Sequence, residues 1–196
     1  MKEIRWHGRG GQGAKTAAQL LAMAALDSGK AVQAFPEFGP ERSGAPMQAY
    51  NRIDGAPIRR RFAVQHPDVV VVLDSSLLQE VEVAAGLGPD GLLLVNADGR
   101  PGDIRSQLRY EGDVLCVPAE RLAAQVGARF TNVVMLGALA AALGEPPAAA
   151  LEDAARRLLA PKLSPAALQS TLAALAAGHR FLAQEESPEG RVVCLR

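Results

Sequence analysis

Two short runs of branched and aliphatic residues constrain the fold more than any other part of this sequence. The first is VVVV within residues 68–74, and the second is LLLV within residues 90–96. A strand that is apolar on both faces fits the interior of a sheet that is covered on both sides, and such sheets are typically parallel. The segment DVLCVP, which closes at Pro118, is predicted to be a third strand of this kind.

Helical patterns alternate with strands along the first two thirds of the chain. A short strand at residues 4–6 precedes a helix over about 12–28, which Gly29 should end. A second strand is predicted at 31–35, and another helix should run from Ser75 or Ser76 to about Ala85. Alternating strands and helices predict an α/β fold, with a parallel sheet core and helices packed on it.

An additional small antiparallel sheet is expected from the residues between these elements. Residues 47–53 alternate weakly, Asp54-Gly55 follows them, and residues 57–62 come next. Because Asp-Gly is a strong signal for a tight turn, the two segments are predicted to pair as a β-hairpin.

The last third of the chain is predicted to be mainly helical. Helices are indicated at 132–143 and 147–159, and a third should begin after Ser164, with Pro165 at its first position. The tail GRVVCLR could add a short strand. A length of 196 residues fits one domain. We therefore predict a single domain over 1–196, with an α/β core over about 1–130 and a helical part over about 131–196.

The charge balance and composition exclude several classes of function. The chain carries 21 basic and 21 acidic side chains, whereas proteins that bind nucleic acids or membrane surfaces depend on a basic field. Its three histidines and two cysteines show no metal-ligand spacing and no C-x-x-C, so we expect no metal and no iron–sulfur cluster here. Since no membrane span and no signal-peptide core can be identified, a cytoplasmic location is expected.

A glycine-rich turn follows the first predicted strand. Gly8, Gly10 and Gly13 form the pattern G-x-G-x-x-G between a strand and a helix, the context in which this pattern marks a nucleotide-binding loop. Backbone N–H groups at such a turn and at the following helix N-terminus attract phosphate. The alternative is a tight turn that needs glycine for its conformation alone. The candidate binding residues are Gly8, Gly10, Gly11, Gln12, Gly13, Lys15 and Thr16.

A nicotinamide cofactor would require one further feature. An acidic residue should close the second strand and bind the ribose. Here the second strand is predicted to end at Phe35, and Glu37 lies beyond Pro36, inside a loop. The fingerprint is therefore incomplete, which argues against NAD.

The segment FPEFGPERSGAP is a second candidate for function. Prolines and glycines stiffen it, and it carries Glu37, Glu41 and Arg42. A rigid charged loop loses little conformational entropy when it docks against a partner. A solvated surface loop is the alternative interpretation.

Six segments in this order resemble a known family: GRGGQG, AFPEFGPERSGAP, NRIDGAPIR, PDVVVVLD, DGLLLVN and TNVVMLGAL. Together they are similar to the gamma subunit of the pyruvate and 2-ketoisovalerate ferredoxin oxidoreductases, over roughly residues 3–143. Many relatives carry an arginine where this chain has Ser43. The resemblance implies a parallel sheet with a helical layer and an additional antiparallel sheet.

The resemblance also implies a function that is shared among several chains. The complex oxidatively decarboxylates a 2-oxoacid with coenzyme A, which yields acyl-CoA, carbon dioxide and reduced ferredoxin. Thiamine diphosphate would lie between alpha and beta subunits, and 4Fe-4S clusters on beta and delta. This gamma chain would contribute to coenzyme A binding and to assembly, with Glu37, Glu41 and Arg42 facing a partner or the active site. No catalytic residue is assigned to it.

Two other functions remain open at the level of sequence. One is a free-standing Rossmann-like nucleotide-binding protein, and the other is a purely structural subunit whose glycine loop only packs against its neighbours.

Overall fold

The computed structural model describes residues 1–37 and 44–184 of the chain. Six strands and seven helices follow one another within these residues. They are β1 (Lys2–Arg9), α1 (Ala14–Asp27), β2 (Ala31–Glu37), β3 (Pro46–Asp54), β4 (Val69–Val72), α2 (Leu77–Glu80), β5 (Leu92–Asn96), α3 (Pro101–Leu108), β6 (Asp113–Val117), α4 (Ala119–Gln125), α5 (Asn132–Leu143), α6 (Ala148–Leu159) and α7 (Pro165–Gln184).

The strands form one mixed sheet in the order β2-β3-β1-β4-β5-β6. Strands β1, β4, β5 and β6 are parallel neighbours, whereas β3 runs antiparallel to both β1 and β2. All four residues of β4 and all five of β5 are buried, as their apolar sequences predict. The predicted α/β class with a parallel core is therefore confirmed.

Helices cover the two faces of the sheet in different places. Helix α1 belongs to the larger core cluster together with α5, α6 and α7, and this cluster also contains Ile4, Trp6 and alternate residues of β4 and β5. Leu77 of α2 and Ile104 of α3 pack on the opposite face, against the other residues of the same strands. The chain thus changes faces between β1 and β4, which is the topological switch point where open α/β sheets bind ligands.

The predicted hairpin was wrong in one of its strands. Residues 57–62 form no strand, and β3 pairs instead with β1 and β2 within the main sheet. The Asp54-Gly55 turn does exist, since Asp54 accepts a hydrogen bond from the Ala56 N–H at 3.3 Å. Beyond it the chain crosses a face of the sheet, where the Phe62 carbonyl accepts from Arg52 at 2.6 Å. The expected antiparallel pairing is therefore present, one strand earlier in the sequence.

Other elements also differ from the sequence-based expectation, and β1 is longer than predicted, at Lys2–Arg9. Strand β2 continues through Pro36 to Glu37, which is possible because β2 is an edge strand and proline removes no essential ladder bond there. Helix α2 covers Leu77–Glu80 rather than reaching Ala85. Helix α3 was missed, since it buries only Ile104 and therefore shows little periodicity. The predicted tail strand lies outside the described residues.

The predicted helical ends agree well with the structure. Gly29, with φ of +80°, follows α1 and donates to the Leu26 carbonyl at 2.9 Å. Helix α7 begins at Pro165, and Ser164 caps it by accepting from the Ala167 N–H at 3.3 Å. Within the described part of the chain, no helix combines the length and apolar character needed to cross a membrane.

Candidate functional site at the glycine loop

The glycine loop joins β1 to α1 at the carboxyl edge of the parallel strands. Asp74, which follows β4, lies beside it, and Asn96 ends the next strand along the sheet. The Asn96 side chain donates to the Leu73 carbonyl at 2.9 Å and accepts from the Ala119 N–H at 3.0 Å. It therefore connects the ends of β4, β5 and β6.

The first two glycines of the pattern contribute to packing and strand pairing in the sheet. Gly8 is a buried residue of β1, and a Cβ there would lie 3.3 Å from Leu73 Cδ1 and 3.5 Å from Ala14 Cβ. Gly10 donates to the Ala45 carbonyl at 2.9 Å and accepts from the Gly44 N–H at 3.3 Å. Their roles in this structure are close packing and strand pairing, so neither presents a free N–H at the loop surface.

The later glycines form the exposed part of the loop. Gly11 has φ of +96° and open space around its Cα. Gly13 has φ of +83° and occupies the N-cap position of α1, with no side chain capping the helix. The N–H groups of Gly11, Gly13 and Thr16 have no hydrogen-bond acceptor among the described residues. Together with the positive end of a 14-residue helix, they form a surface that favours an anion.

The Gln12 side chain braces the loop from within. Its Oε1 accepts from the Arg9 N–H at 2.7 Å, and its Nε2 donates to Asp74 Oδ2 at 2.8 Å. Gln12 is therefore a scaffold residue in this structure, although the sequence suggested it only as a member of the loop.

Arg9 and Asp74 extend this network to α2. The Arg9 Nε donates to Asp74 Oδ2 at 3.1 Å, and its Nη2 donates to Ser76 Oγ at 2.6 Å and pairs with the Glu80 carboxylate. Burial opposes ionisation of Asp74, but hydrogen bonds from Ser76 and Gln12 and the charge of Arg9 outweigh it and hold the pKa of Asp74 below its usual range. Asp74 is thus a carboxylate throughout the neutral range.

Asn132 fastens the other end of the loop. Its Nδ2 donates to the Gly13 carbonyl at 3.0 Å, and a Cβ at Gly13 would lie 2.6 Å from that nitrogen. Asn132 is the first residue of α5 rather than its N-cap, and the N-cap residue Thr131 makes no side-chain capping hydrogen bond. Only the fold reveals this contact, since 119 residues separate the two partners.

Lys15 and Thr16 lie in the first turn of α1, as the sequence predicted. Lys15 is exposed and Thr16 is half-buried. They place an ammonium and a hydroxyl near the same helix end.

Of the three charged residues in the segment FPEFGPERSGAP, only Glu37 lies among the described residues. Glu37 ends β2 and accepts a hydrogen bond from the Tyr50 hydroxyl. Burial, together with the hydrogen bond and charge of Glu37, raises the pKa of Tyr50. Glu41 and Arg42 lie outside the described residues. Glu37 is therefore a strand residue with an intramolecular partner, rather than part of a proline-stiffened loop.

The position of Glu37 bears directly on nicotinamide binding. An acidic residue does close the second strand, contrary to the sequence-based prediction. However, β3 lies between β2 and β1, so Glu37 is two strand spacings, about 9–10 Å, from the strand that carries the glycine loop. The adjacent-strand geometry of a dinucleotide fold is absent among the described strands, and this is a stronger argument against NAD than the sequence offered.

Polar side chains also line one face of β1. Arg5 donates from Nε to His7 Nε2 at 3.0 Å and from Nη2 to the Val83 carbonyl at 3.0 Å. His7 is only 2% exposed. Burial, helped by the charge of Arg5, lowers the pKa of His7 to about 3. His7 is therefore a neutral acceptor that helps to anchor the segment after α2, and not a proton-transfer group for neutral pH.

No group of three or more histidine, cysteine, aspartate or glutamate side chains could hold a metal ion in the part of the chain that the structure describes.

Comparisons with known proteins agree with the fold and the motifs. The model of the pyruvate ferredoxin/flavodoxin oxidoreductase family matches residues 3–181. Pyruvate synthase subunit PorC of Thermotoga maritima is 46% identical over 178 residues, which is 90% of this chain and 92% of that protein. Its crystal structure gives a TM-score of 0.80 at 42% identity and covers 91% of this chain and 95% of the other.

A second relative has a broader name. The pyruvate/ketoisovalerate oxidoreductases common subunit gamma of Thermococcus kodakarensis is 50% identical over 146 residues, covering 74% of this chain and 79% of that protein.

A more distant structure shares the fold. The 2-oxoglutarate:ferredoxin oxidoreductase of Magnetococcus marinus, solved with 2-oxoglutarate, coenzyme A and succinyl-CoA, gives a TM-score of 0.75 at 21% identity. The match covers 95% of this chain and 31% of that one. From the family match and the two close relatives it follows that the chain belongs to the pyruvate ferredoxin/flavodoxin oxidoreductase family, as a gamma subunit of the pyruvate/ketoisovalerate type.

Proposed function

We propose that the glycine loop of this gamma subunit binds a phosphate group of coenzyme A within the assembled oxidoreductase. The complex converts a 2-oxoacid, pyruvate or 2-ketoisovalerate, and coenzyme A to acyl-CoA and carbon dioxide while ferredoxin is reduced. In this division of labour, the chain holds the acyl acceptor while other subunits carry out the decarboxylation and the electron transfer.

One observation carries the proposal. The N–H groups of Gly11 and Gly13 lack acceptors among the described residues, and they lie where the chain changes faces between β1 and β4. Open space surrounds Gly11, so a bulky phosphate can approach the backbone. Lys15 adds a positive charge on the first helical turn. These groups fit a phosphate by charge, by donor type and by access.

The shared fold gives independent support. The Magnetococcus marinus enzyme, whose structure contains coenzyme A and succinyl-CoA, includes a region with the same fold as this chain. At 21% identity this likeness concerns the fold alone, so the assignment of the phosphate to particular residues rests on the loop geometry described above.

The remaining cofactors belong to partner chains in this proposal. Alpha, beta and delta subunits would complete the complex, with thiamine diphosphate between alpha and beta and 4Fe-4S clusters on beta and delta. Ferredoxin would bind through the complex. This chain alone is then inactive, and the complex is placed in the cytoplasm, where ferredoxin-linked metabolism of 2-oxoacids would take place.

The test is a substitution that blocks the loop surface. Gly11→Leu should raise the KM for coenzyme A about tenfold in the assembled complex, because a side chain would cover the exposed N–H groups. The measurement is 2-oxoacid-dependent reduction of a viologen, with each 2-oxoacid tried in turn. The matched control is Gly29→Leu, since Gly29 also has a positive φ, of +80°, and open space around it but follows the far end of α1.

The same measurement separates the competing functions. An unchanged KM with assembly intact would contradict coenzyme A binding at the loop and would favour a structural subunit. The absence of any 2-oxoacid-dependent reduction by the co-purified complex would count against the whole assignment. A free-standing nucleotide-binding protein is already disfavoured, because β3 separates β1 from β2.

A further inference from the structure

A connected network of hydrogen bonds adjoins the glycine loop, and its members are Arg9, Gln12, Asp74 and Ser76. Gln12 reaches back to the Arg9 N–H through Oε1 and outward to Asp74 through Nε2. Because the two ends of the amide contact groups of opposite kind, a donor and a carboxylate, its orientation is determined. Gln12 thus connects the beginning of its own loop to the end of a neighbouring strand.

Asp74 is the point on which the set converges. Its Oδ2 accepts from Gln12 Nε2 at 2.8 Å and from Arg9 Nε at 3.1 Å. Its Oδ1 accepts from the Ser76 N–H at 3.0 Å and from Ser76 Oγ at 2.6 Å. Four donors therefore surround one carboxylate, and hydrogen bonds to an ionised acceptor are among the stronger ones in proteins.

A carboxylate beside an anion-binding loop requires an explanation. The charge of Asp74 is balanced by Arg9, which also pairs with the exposed Glu80. Neither Arg9 nor Asp74 is therefore well suited to bind a phosphate directly. Their hydrogen bonds do not engage the N–H groups of Gly11 and Gly13 and leave them uncovered.

We propose that Gln12 and Asp74 are positioning residues, which hold the glycine loop in its ligand-ready conformation before coenzyme A arrives. The inference rests on the proposed function for the identity of the ligand, but the positioning itself concerns this chain alone. A loop whose shape is set in advance loses less conformational freedom on binding, so the pair acts on affinity for coenzyme A rather than on the chemical step.

The test exchanges the two polar groups between the positions. Gln12→Glu places two carboxylates against each other at a contact of 2.8 Å between side-chain atoms, and their repulsion should open the loop. The double variant Gln12→Glu with Asp74→Asn restores one carboxylate and one amide. The introduced amide can donate to the introduced carboxylate, whose other oxygen still accepts from the Arg9 N–H, and the net charge equals that of the native pair. Arg9 Nε loses its acceptor at Asp74 Oδ2, so the recovery should be partial.

The first readout is hydrogen exchange in the full chain without ligand. Peptides covering residues 8–16 should exchange about tenfold faster in Gln12→Glu, and the double variant should recover part of the native protection. The control is Asp103→Asn, which removes a carboxylate from an exposed ion pair with Arg100 at 3.2 Å and should leave this exchange unchanged. If the double variant exchanges as fast as Gln12→Glu, the positioning role is overturned.

The second readout is the kinetics of the assembled complex. Gln12→Glu should raise the KM for coenzyme A about fivefold or more with kcat nearly unchanged, and the double variant should reverse part of the change. Loop exchange that responds to the swap while the KM does not would support positioning and contradict the proposed coenzyme A site. If Gln12→Glu fails to fold, Gln12→Ala replaces it, and unchanged loop exchange in that variant would overturn the inference.

Discussion

At the scale of single residues, the two left-handed glycines of the loop have different surroundings. Gly13→Ala should lower the free energy of unfolding by about 2–4 kcal/mol, because backbone strain adds to a clash between the new Cβ and Asn132. Gly11→Ala carries the same kind of strain in open space and should cost only about 1–2 kcal/mol. Urea unfolding of both variants gives the comparison.

The difference between the unfolding free energies of Gly13→Ala and Gly11→Ala measures the contact with Asn132. Adding Asn132→Ala to Gly13→Ala should recover part of the loss, because the clashing amide is removed. Equal losses at Gly11 and Gly13 would show that Asn132 does not pack against the loop in solution.

His7 should make the stability of the chain depend on pH. The folded state keeps His7 neutral down to a pKa of about 3, whereas the unfolded chain takes up a proton near 6.5. The unfolded state therefore binds more protons between these values, and stability is lost as the pH falls below 6.5. The loss should approach about 1.4 kcal/mol per pH unit.

The comparison variant for this prediction is His7→Gln, whose amide oxygen can still accept from Arg5 Nε. Carboxylates titrate in the same range, so the relevant measurement is the difference between the two unfolding free energies from pH 7 to pH 4. A constant difference would mean that His7 is not buried as a neutral group.

Sequence identified the loop residues but not the residues that hold them. The spacing of Gly8, Gly10 and Gly13 follows from local backbone geometry, which a sequence carries directly. Asn132 reaches Gly13 across 119 positions and Asp74 reaches Gln12 across 62. No local pattern encodes such contacts, because they depend on how the strands are ordered in the sheet.

At the scale of elements, helices α5 and α7 depend on close backbone contact. A Cβ at Gly178 would overlap the Val134 carbonyl, and one at Gly137 would overlap the Leu175 carbonyl. Gly178→Ala should therefore destabilise the chain by about 2–4 kcal/mol, since neither backbone can move away without losing packing.

Gly102→Ala is the matched control for this prediction, because Gly102 is also helical but has open space around it. Alanine there should stabilise the chain by about 0.5–1 kcal/mol through its higher helix propensity. Thermal unfolding of both variants decides the matter, and a neutral Gly178→Ala would contradict the close helix crossing.

The elements that sequence predicted best are those with a strong local signal. Strands β4 and β5 are continuous apolar runs, and α7 begins at a proline that directly follows the capping residue Ser164. The hairpin failed because an Asp-Gly turn specifies a chain reversal but not the pairing partner. Residues 57–62 carry three exposed arginines, and β3 finds better partners in β1 and β2.

At the scale of the whole molecule, we propose that the chain is one cooperative domain. Helices α5, α6 and α7 share a single apolar cluster with α1 and the sheet. Trp6 is the only tryptophan in the sequence, is fully buried in β1, and donates to Asn51 Oδ1 at 2.8 Å. Its fluorescence therefore reports on the sheet and on the core that packs against it.

Helical circular dichroism draws more strongly on the last third of the chain, which contains α5, α6 and α7. In urea, the fluorescence and dichroism transitions should coincide within error, as expected for two-state unfolding of one domain. Separate midpoints would show that the helical part over about 131–196 unfolds independently and would contradict the single-domain proposal.

The isolated chain should lack a complete active site. The loop provides donors and a helix end, but the described residues provide no metal-ligand group and no neutral-pH acid–base residue at the loop. The sequence lacks the cysteine and histidine spacings of redox centres, and for this reason we expect such centres on other chains. It could not anticipate the switch point between β1 and β4, which exists only once the strand order is known.

The central claim is that a phosphate group of coenzyme A binds to the glycine loop. Hydrogen exchange of the assembled complex tests this claim most directly. Saturating coenzyme A should slow exchange of the amides in residues 11–16 about tenfold or more, while peptides around Gly55 at the opposite sheet edge stay unchanged. Loop exchange that is identical with and without coenzyme A, in a complex that turns over its 2-oxoacid, would contradict the account.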